Sequence, residues 1–180
     1  NSTRSQVVDL RDRALEPRGW DRLAKPAYSI PERSALYELH VRDFSISDET
    51  VRAAYRGTFL AFTQRNSAGM RHLRSLARAG LTSVHLLPAF DIATIEEVRA
   101  RQATPPCDLE ALPPDSEEQQ ACIAQVADRD GFNWGYDPFH YTAPEGSYAT
   151  DPQGTPRVRQ FREMVAGLNR TGLRVVMDVV

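Results

Sequence analysis

The sequence lacks the features that mark nucleic-acid-binding, membrane-spanning and zinc proteins. Its 22 basic and 24 acidic side chains give a net charge of −2, so no cationic surface is available for phosphate backbones. No apolar run approaches the roughly 20 residues that a membrane-spanning helix needs. Only two cysteines occur, without a histidine-rich spacing that would make a zinc site. We therefore expect no nucleic-acid partner, no membrane span and no metal site at the cysteines.

The sequence also lacks short motifs that bind nucleotides or activate a serine. It contains no Gly-x-Gly-x-x-Gly, no P-loop and no Gly-x-Ser-x-Gly. The first two hold phosphate groups on a glycine-rich turn, and the third places a nucleophilic serine on a strained elbow. Dinucleotide, nucleotide and serine-hydrolase functions thus lose their main support.

The cysteines, Cys107 and Cys122, lie close together in a polar segment. A disulfide between them would close a local loop, which the chain-entropy model values at roughly 3 kcal/mol. Two free thiols are the alternative. A disulfide would favour an oxidising compartment, although the N-terminal residues lack the apolar core of a signal peptide.

The apolar pattern alternates between strands and helices. At 180 residues with 41% hydrophobic side chains, the chain can bury the core of one domain. The pattern predicts a strand over 35–44, a helix over 67–80 and a second strand over 81–91, followed by a helix over 156–172 and a strand over 173–180. Near-continuous apolar strands that alternate with helices indicate an α/β fold with a parallel sheet, in a barrel or a doubly wound arrangement.

Two segments do not fit a simple alternation. Residues 1–33 are charged and proline-rich, which is typical of a linker or domain edge. Residues 92–155 are far longer than the roughly 2–6 residues of an ordinary loop of this kind, and loops of this length are commonly functional or disordered. Three β/α units cannot close a barrel, which needs roughly 250 residues, so the chain is either a small open sheet or the front part of a larger protein.

Carboxylates occur at or near the end of each predicted strand, where α/β proteins place their active sites. Asp43 follows the first strand, Asp91 the second, and Asp178 lies in the third. The structural alternatives are that Asp43 pairs with Arg42, that Asp91 caps a short helix over 92–94, and that Asp178 belongs to an ion pair. A lone histidine such as His40 in an apolar strand is more often a hydrogen-bonded core residue than a catalyst.

The stretch 130–152 concentrates aromatic residues where neither a helix nor a strand pattern is readable. Flat rings beside carboxylates and amides suit sugars, because a pyranose offers an apolar C–H face and many hydroxyls. The residues that supply both kinds of group are Asn133, Trp134, Tyr136, Asp137 and His140. The alternative is that the rings anchor a long loop onto the sheet.

Several segments resemble one enzyme family. They are YELHVRDFS (37–45), GTFLAFT (57–63), GLTSVHLLPAFDIAT (80–94), FNWGYDPFHYTAPEGSYATDP (132–152) and GLRVVMDVV (172–180). In this order they resemble the starch-debranching enzymes of the α-amylase superfamily, glycoside hydrolase family 13, and among them the pullulanase-type α-1,6-glucosidases and limit dextrinases. The resemblance covers about residues 5 to 180.

The resemblance implies a (β/α)8 TIM barrel of which 34–180 would form the first three β/α units, with an insertion of about 95–131 after strand two. Residues 1–33 would be the edge of an upstream β-sandwich domain. Some exported members of the family have a cysteine pair in this insertion, and the resemblance implies that Cys107 and Cys122 are such a pair.

The resemblance also implies roles for single residues. Tyr136 matches the tyrosine that stacks on the sugar at the cleavage subsite, Trp134 and Asp137 would shape that subsite, and Asp178 would support the active site. We expect Phe139, Tyr141 and Tyr148 to hold the loop in place instead. Phe132 departs from the family's usual tyrosine, which removes one hydroxyl.

The implied activity is hydrolysis of α-1,6-glucosidic linkages in pullulan, starch or glycogen limit dextrins by a retaining mechanism with two carboxylates. The nucleophile and acid are expected after Val180, so this chain alone should be inactive. No cofactor is required, calcium is possible, and a secreted or periplasmic location is favoured. The alternatives are an α-1,4-acting enzyme of the amylase family and a non-catalytic glycan-binding module.

Overall fold

Five strands and three α-helices lie in the described part of the chain. The structure is a computed structural model that describes residues 5–28 and 30–180. The strands are β1 (Leu36–Leu39), β2 (Ser83–Leu86), β3 (Phe90–Ile92), β4 (Pro138–Pro144) and β5 (Arg174–Met177), and the helices are α1 (Ala68–Arg78), α2 (Glu118–Ala124) and α3 (Pro156–Asn169). No helix in these ranges is long and apolar enough to cross a membrane.

A parallel sheet in the order β1-β2-β5 forms the centre of the fold. Leu36 pairs with Ser83 at one edge of the register, and Leu86 pairs with Met177 at the other. Helix α1 connects β1 to β2, and α3 precedes β5, so the predicted α/β class is confirmed. The (β/α)8 barrel is a larger claim than three strands can test.

Both long helices end as their glycines predict. At the end of α1 the N–H of Gly80 donates to Ala77 O (3.2 Å), and that of Leu81 donates to Leu76 O (3.0 Å). Gly80 has a φ of +110°, a backbone conformation that residues other than glycine rarely adopt. This is a Schellman ending, and the same two bonds follow α3 around Gly172.

The predicted second strand divides between two sheets. The chain leaves the parallel sheet after Leu86, and Phe90–Ile92 pairs instead with β4 in an antiparallel ribbon. Pro88 lies at the break, since proline has no N–H to donate to a ladder. The predicted capping role of Asp91 is therefore wrong, because Asp91 lies within β3. The first strand is also shorter than predicted, because a turn follows it in which Phe44 N donates to His40 O.

Strand β4 was missed in the sequence because its pattern is irregular. It begins and ends with a proline, and its register with β3 shifts on both sides of Asp91. Exposure nevertheless alternates over its first four residues, with Phe139 and Tyr141 outward and His140 turned toward β3. The middle of the predicted loop 130–152, Pro138–Pro144, is therefore a strand.

Helix α2 and a disulfide bond order the insertion. The disulfide joins Cys107 to Cys122, which lies in α2 and is buried. The helix lies within the segment of about 95–131 that the resemblance identified as an insertion. The insertion is thus a small, covalently closed unit outside both sheets.

The N-terminal segment packs against α3. Arg162 of that helix donates to the carbonyl oxygens of Leu10 (2.8 Å) and Leu15 (3.3 Å), and its guanidinium lies over the ring of Trp20. The part of this segment from Leu10 to Trp20 is therefore docked onto α3. The upstream β-sandwich domain and the boundary at residue 33 stay predictions.

The core lies between the parallel sheet, α3 and a 3-10 helix, Phe59–Thr63. The ring of Phe59 meets those of Tyr148 and Phe161 edge to face, and all three belong to the core or pack on it. Helix α3 comes very close to the 3-10 helix at Gly167. A Cβ at this position would lie 2.5 Å from the carbonyl oxygen of Phe62.

We expect Gly167→Ala to lower the free energy of unfolding by about 1–3 kcal/mol, because the added methyl would push two packed backbones apart. An alanine in an open helix would instead raise stability by about 1 kcal/mol. Urea unfolding of wild type and variant measures the difference, with the exposed position Ser75→Ala in α1 as the control. A Gly167→Ala protein as stable as wild type would show that the close contact is unimportant.

Candidate functional site

The aromatic loop, residues 132–137, lies across the carboxyl ends of all three parallel strands. Its contacts, one for each strand, are Asn133 with His40 after β1, Gly135 with Pro88 after β2, and Tyr136 with Asp178 after β5. Catalytic and binding residues of parallel α/β sheets collect at this edge. The structure therefore brings together residues that are far apart in sequence at the expected place.

Gly135 allows the aromatic loop to rest on the backbone. Its φ is +90°, and a Cβ there would lie 2.7 Å from the carbonyl oxygen of Pro88. The N–H of Gly135 donates to Asn133 Oδ1 (2.8 Å), which closes a tight turn before Tyr136. A glycine at this position thus decides the direction in which the neighbouring rings point.

Tyr136 is held by its hydroxyl while its ring stays accessible. The hydroxyl donates to Asp178 Oδ2 (2.7 Å), and 45% of the residue is exposed. The hydrogen bond to the Asp178 carboxylate raises the pKa of Tyr136, so the phenol stays neutral. Asp178 is only half-buried. Its carboxylate accepts a hydrogen bond from a hydroxyl, whereas the structural alternative in the sequence analysis was an ion pair with a cation.

Trp134 and Asp137 flank Tyr136. Trp134 is 59% exposed and meets the ring of Phe132 edge to face at 5.7 Å. The Asp137 carboxylate accepts a hydrogen bond from the Thr94 hydroxyl, which also accepts one from Asn133 Nδ2 (2.9 Å). Thr94 was not predicted, because nothing in its local sequence signals a contact with residues about 40 positions later.

The remaining aromatic residues divide differently from the prediction. Tyr148 is an anchor as expected, since it is 1% exposed and its hydroxyl lies 3.0 Å from His40 Nε2. Phe139 and Tyr141 are 44% and 54% exposed, but the ring of Tyr141 still contacts that of Phe90 across the ribbon, so Tyr141 helps to hold the segment in place. Both lie on the outward face of β4, although the Tyr141 hydroxyl donates to Val180 O (2.7 Å).

Two structural alternatives from the sequence are confirmed. His40 is a buried, hydrogen-bonded core residue whose Nε2 lies 2.8 Å from the carbonyl oxygen of Asn133. Asp43 pairs with Arg42 at 2.8 Å, as a strand-end carboxylate with a neighbouring cation would.

A buried acid cluster lies beside this site, under the ribbon of β3 and β4. Its carboxylates are Asp91, Glu97 and Glu145, which are 4%, 7% and 0% exposed. The guanidinium of Arg157 in α3 bridges Asp91 (3.0 Å) and Glu97 (2.9 Å), and His140 Nδ1 lies 2.6 Å from the second oxygen of Asp91. Sequence reasoning singled out Asp91 and His140, but nothing local linked them to each other or to Arg157.

Burial favours the neutral form of two carboxyl groups in the acid cluster, Glu97 and Glu145. Burial raises the pKa of Glu97, an effect that Arg157 opposes and Asp91 reinforces. Burial also raises the pKa of Glu145 to about 7, although two backbone N–H groups donate to its oxygens and stabilise the charged form. One arginine therefore does not fully compensate three acids in this space.

The three carboxylates also form a group close enough to be considered for a metal ion, with ligand atoms within 4.8 Å of one another. Calcium takes 6–8 oxygen ligands. Here Asp91 and Glu145 use both oxygens, and Glu97 one, as acceptors of the hydrogen bonds just described. Of these six oxygens, only Glu97 Oε1 has no partner among the described residues. With Arg157 supplying the positive charge, the arrangement does not fit calcium. Calcium binding by the protein stays a prediction.

The chemistry that this edge of the sheet offers is recognition of a flat, hydroxyl-rich molecule. The exposed rings of Trp134 and Tyr136 present apolar faces, and the next residue, Asp137, adds a carboxylate that the Thr94 hydroxyl holds in place. Sugars bind through this combination of stacking and hydrogen bonding.

Comparison with known proteins places the chain in one class. No family model matches it. It is 48% identical over 177 residues to "Pullulanase 1, chloroplastic" of Arabidopsis thaliana, an alignment that covers 97% of this chain and 18% of the relative. It is 39% identical over 218 residues to the pullulanase of Klebsiella pneumoniae, an alignment that covers 100% of this chain and 20% of the relative. The crystal structure of PulA from Klebsiella oxytoca superposes with a TM-score of 0.88 at 38% identity, over 97% of this chain and 20% of that one.

The chain is therefore a pullulanase-type region, as its motifs implied. It spans about a fifth of the length of the relatives that it matches. A maltotriose complex of PulA from Klebsiella pneumoniae has the same TM-score, 0.88, so the likeness extends to a relative with a sugar bound.

The acid cluster predicts a specific pH dependence. Between about pH 4.5 and pH 7 the unfolded chain loses the Glu145 proton while the folded protein keeps it, so the free energy of unfolding should fall by about 3 kcal/mol as pH rises through this window. Glu145→Gln does not titrate and should lack this part of the pH dependence. Denaturant unfolding from pH 4 to pH 8 measures both curves.

The exposed Glu110→Gln serves as the control, and it should retain the pH dependence of wild type. Parallel curves for wild type and Glu145→Gln would show that the pKa of Glu145 is not raised.

Proposed function

We propose that the protein to which this chain belongs is a debranching glycoside hydrolase that cleaves α-1,6-glucosidic linkages in α-glucans such as pullulan, starch or glycogen limit dextrins. One observation carries the proposal: the accessible ring of Tyr136 is fixed by Asp178 across the carboxyl ends of three parallel strands. The pullulanases among the relatives, and the maltotriose complexes among the solved structures, support it.

In this proposal the aromatic loop is one wall of the cleft at the cleaved bond. Tyr136 stacks on a glucose ring, and Trp134 and Asp137 shape the same subsite. Asp178 orients Tyr136 by accepting a hydrogen bond from its hydroxyl. The parallel order β1-β2-β5 with its covering helices is consistent with the start of a (β/α)8 barrel. We propose this barrel as the fold of the whole catalytic domain.

The mechanism that we propose is a retaining displacement. One carboxylate attacks the anomeric carbon while a second, about 5–5.5 Å away, protonates the leaving oxygen. We assign both groups to parts of the protein outside these 180 residues, as the family resemblance implies. The contribution of this chain is therefore to bind and orient the glucan, which brings the scissile bond to the carboxylates.

The disulfide between Cys107 and Cys122 favours an oxidising location, so we propose export from the cytoplasm. The Arabidopsis relative is named a chloroplastic protein, which makes an organelle the alternative location. Fractionation of cells that express the full-length protein separates the two.

Digestion of pullulan by the full-length protein tests the reaction. We expect maltotriose as the product, because α-1,6 bonds join maltotriose units in this polymer. Panose-type products would instead indicate α-1,4 cleavage, and binding of pullulan without cleavage would indicate a glycan-binding module. The 180-residue chain by itself should release no sugar, since both catalytic carboxylates are assigned elsewhere.

The stacking role of Tyr136 is tested by two substitutions in the full-length protein. Tyr136→Ala should lower kcat/KM on the order of 100-fold, a loss of about 3 kcal/mol, because the ring contact disappears. Tyr136→Phe keeps the ring but loses the bond to Asp178, so its loss should be smaller. Steady-state kinetics on pullulan measure both.

Tyr28→Ala is the matched control, because Tyr28 is also exposed but contacts Arg174 at the opposite end of β5. Unchanged kinetics for Tyr136→Ala in a folded protein would rule out the stacking role.

A further inference from the structure

Arg157 ties four separate segments of the chain to one point. Its five N–H bonds are all directed at acceptors: Nη1 at Asp91 and at Pro144 O (3.3 Å), Nη2 at Glu97 and at Pro152 O, and Nε at Pro152 O (3.0 Å). The acceptors belong to β3, the segment after β3, the end of β4 and the turn before α3. A single side chain therefore joins both strands of the ribbon to α3.

The surroundings of Arg157 make these contacts strong. Its side chain is 16% exposed, and those of Asp91 and Glu97 are 6% and 8% exposed. Water is largely excluded, so removing the guanidinium would leave two acids buried without a counter-charge. Breaking a buried pair on one side is strongly destabilising for this reason.

The contacts continue from Arg157 to the aromatic loop. Asp91 accepts from Arg157 on one oxygen and meets His140 of β4 on the other (2.6 Å). Two residues beyond Asp91, the N–H of Ala93 donates to Asp137 O (2.9 Å), directly beside Tyr136. The position of the ribbon thus determines where the chain leaves the aromatic loop.

Resting on the function proposed above, we propose that Arg157 is a positioning residue for the sugar-binding loop. It touches no substrate itself. By holding Asp91 and the end of β4 in one geometry, it keeps the chain after Tyr136 and Asp137 in register with the strand ends. Misplacing a binding residue by about 1 Å can cost on the order of 100-fold in rate, so a support of this kind has a measurable effect.

The planar fork of arginine is essential to this role. Lysine carries the same charge but offers one point of attachment, and it cannot bridge two carboxylates and two carbonyls with fixed directions. Arg157→Lys should therefore retain the charge balance and lose the geometry, whereas Arg157→Met loses both and keeps a similar length.

The experiment uses the full-length protein and maltotriose as the probe. We expect Arg157→Met to weaken maltotriose binding about 10-fold or more by calorimetry and to lower kcat/KM on pullulan by at least as much, with Arg157→Lys in between. Hydrogen exchange of the amides in β4 should be at least 10-fold faster in Arg157→Met. Thermal unfolding confirms that each variant is folded at the assay temperature.

The control is Arg159→Met, on the same helix, where the arginine is exposed and, among the described residues, forms an ion pair only with Glu163 at 3.2 Å. It should leave binding, kinetics and exchange unchanged. If Arg157→Met does not fold, Glu97→Gln removes one charge while keeping the shape, and it should weaken maltotriose binding about 3-fold or more.

Three results separate the proposals. Wild type that neither binds maltotriose nor cleaves pullulan overturns the proposed function. Wild type that binds and cleaves, with folded Arg157 variants of equal affinity and kcat/KM, overturns the positioning role. Faster exchange in β4 with unchanged affinity also overturns it, because the arginine would then serve stability alone.

Discussion

The buried imidazole of His40 is the contact on which the arrangement of the site depends. It lies directly after β1, and its Nε2 meets the carbonyl oxygen of Asn133 in the aromatic loop and the hydroxyl of Tyr148 in the core. One ring thus links a strand end, the loop above it and the packing below it. Because burial raises the pKa of Tyr148, its hydroxyl stays protonated and remains a hydrogen-bonding partner rather than a charge.

Above this contact the site combines fixed polar groups with accessible rings. The hydroxyl of Tyr136 is bound to Asp178 while its ring is free to meet a ligand, and Asp137 is held by Thr94. Because the side chains of Tyr136 and Asp137 are already held by hydrogen bonds, they lose little rotamer freedom when a ligand binds, which lowers the entropic cost of recognition. The acid cluster under the ribbon supplies rigidity of a different kind, since its charges hold elements together without facing the loop.

The fold was largely predictable, because its signals are local. Apolar periodicity located the parallel strands and both long helices, and Gly80 and Gly172 marked the helix ends to within a few residues. Strand β4 was not predictable, since its prolines and shifted register hide the alternation that a strand normally shows. Asp91 was misassigned because it lies within β3, the partner of that unrecognised strand, and because its partner Arg157 is far away in the sequence.

The sequence by itself determined the class of the fold, the edge of the sheet at which to look and the motif in which the site lies, because these depend on local patterns and residue types. Tertiary structure alone decided which side chains are partners: Thr94 with Asp137, Tyr136 with Asp178, and Arg157 with the acid cluster. It also decided that Tyr148 is buried while Phe139 and Tyr141 are exposed. Such contacts join residues many positions apart, and they exist only after the sheet and ribbon have brought those residues together.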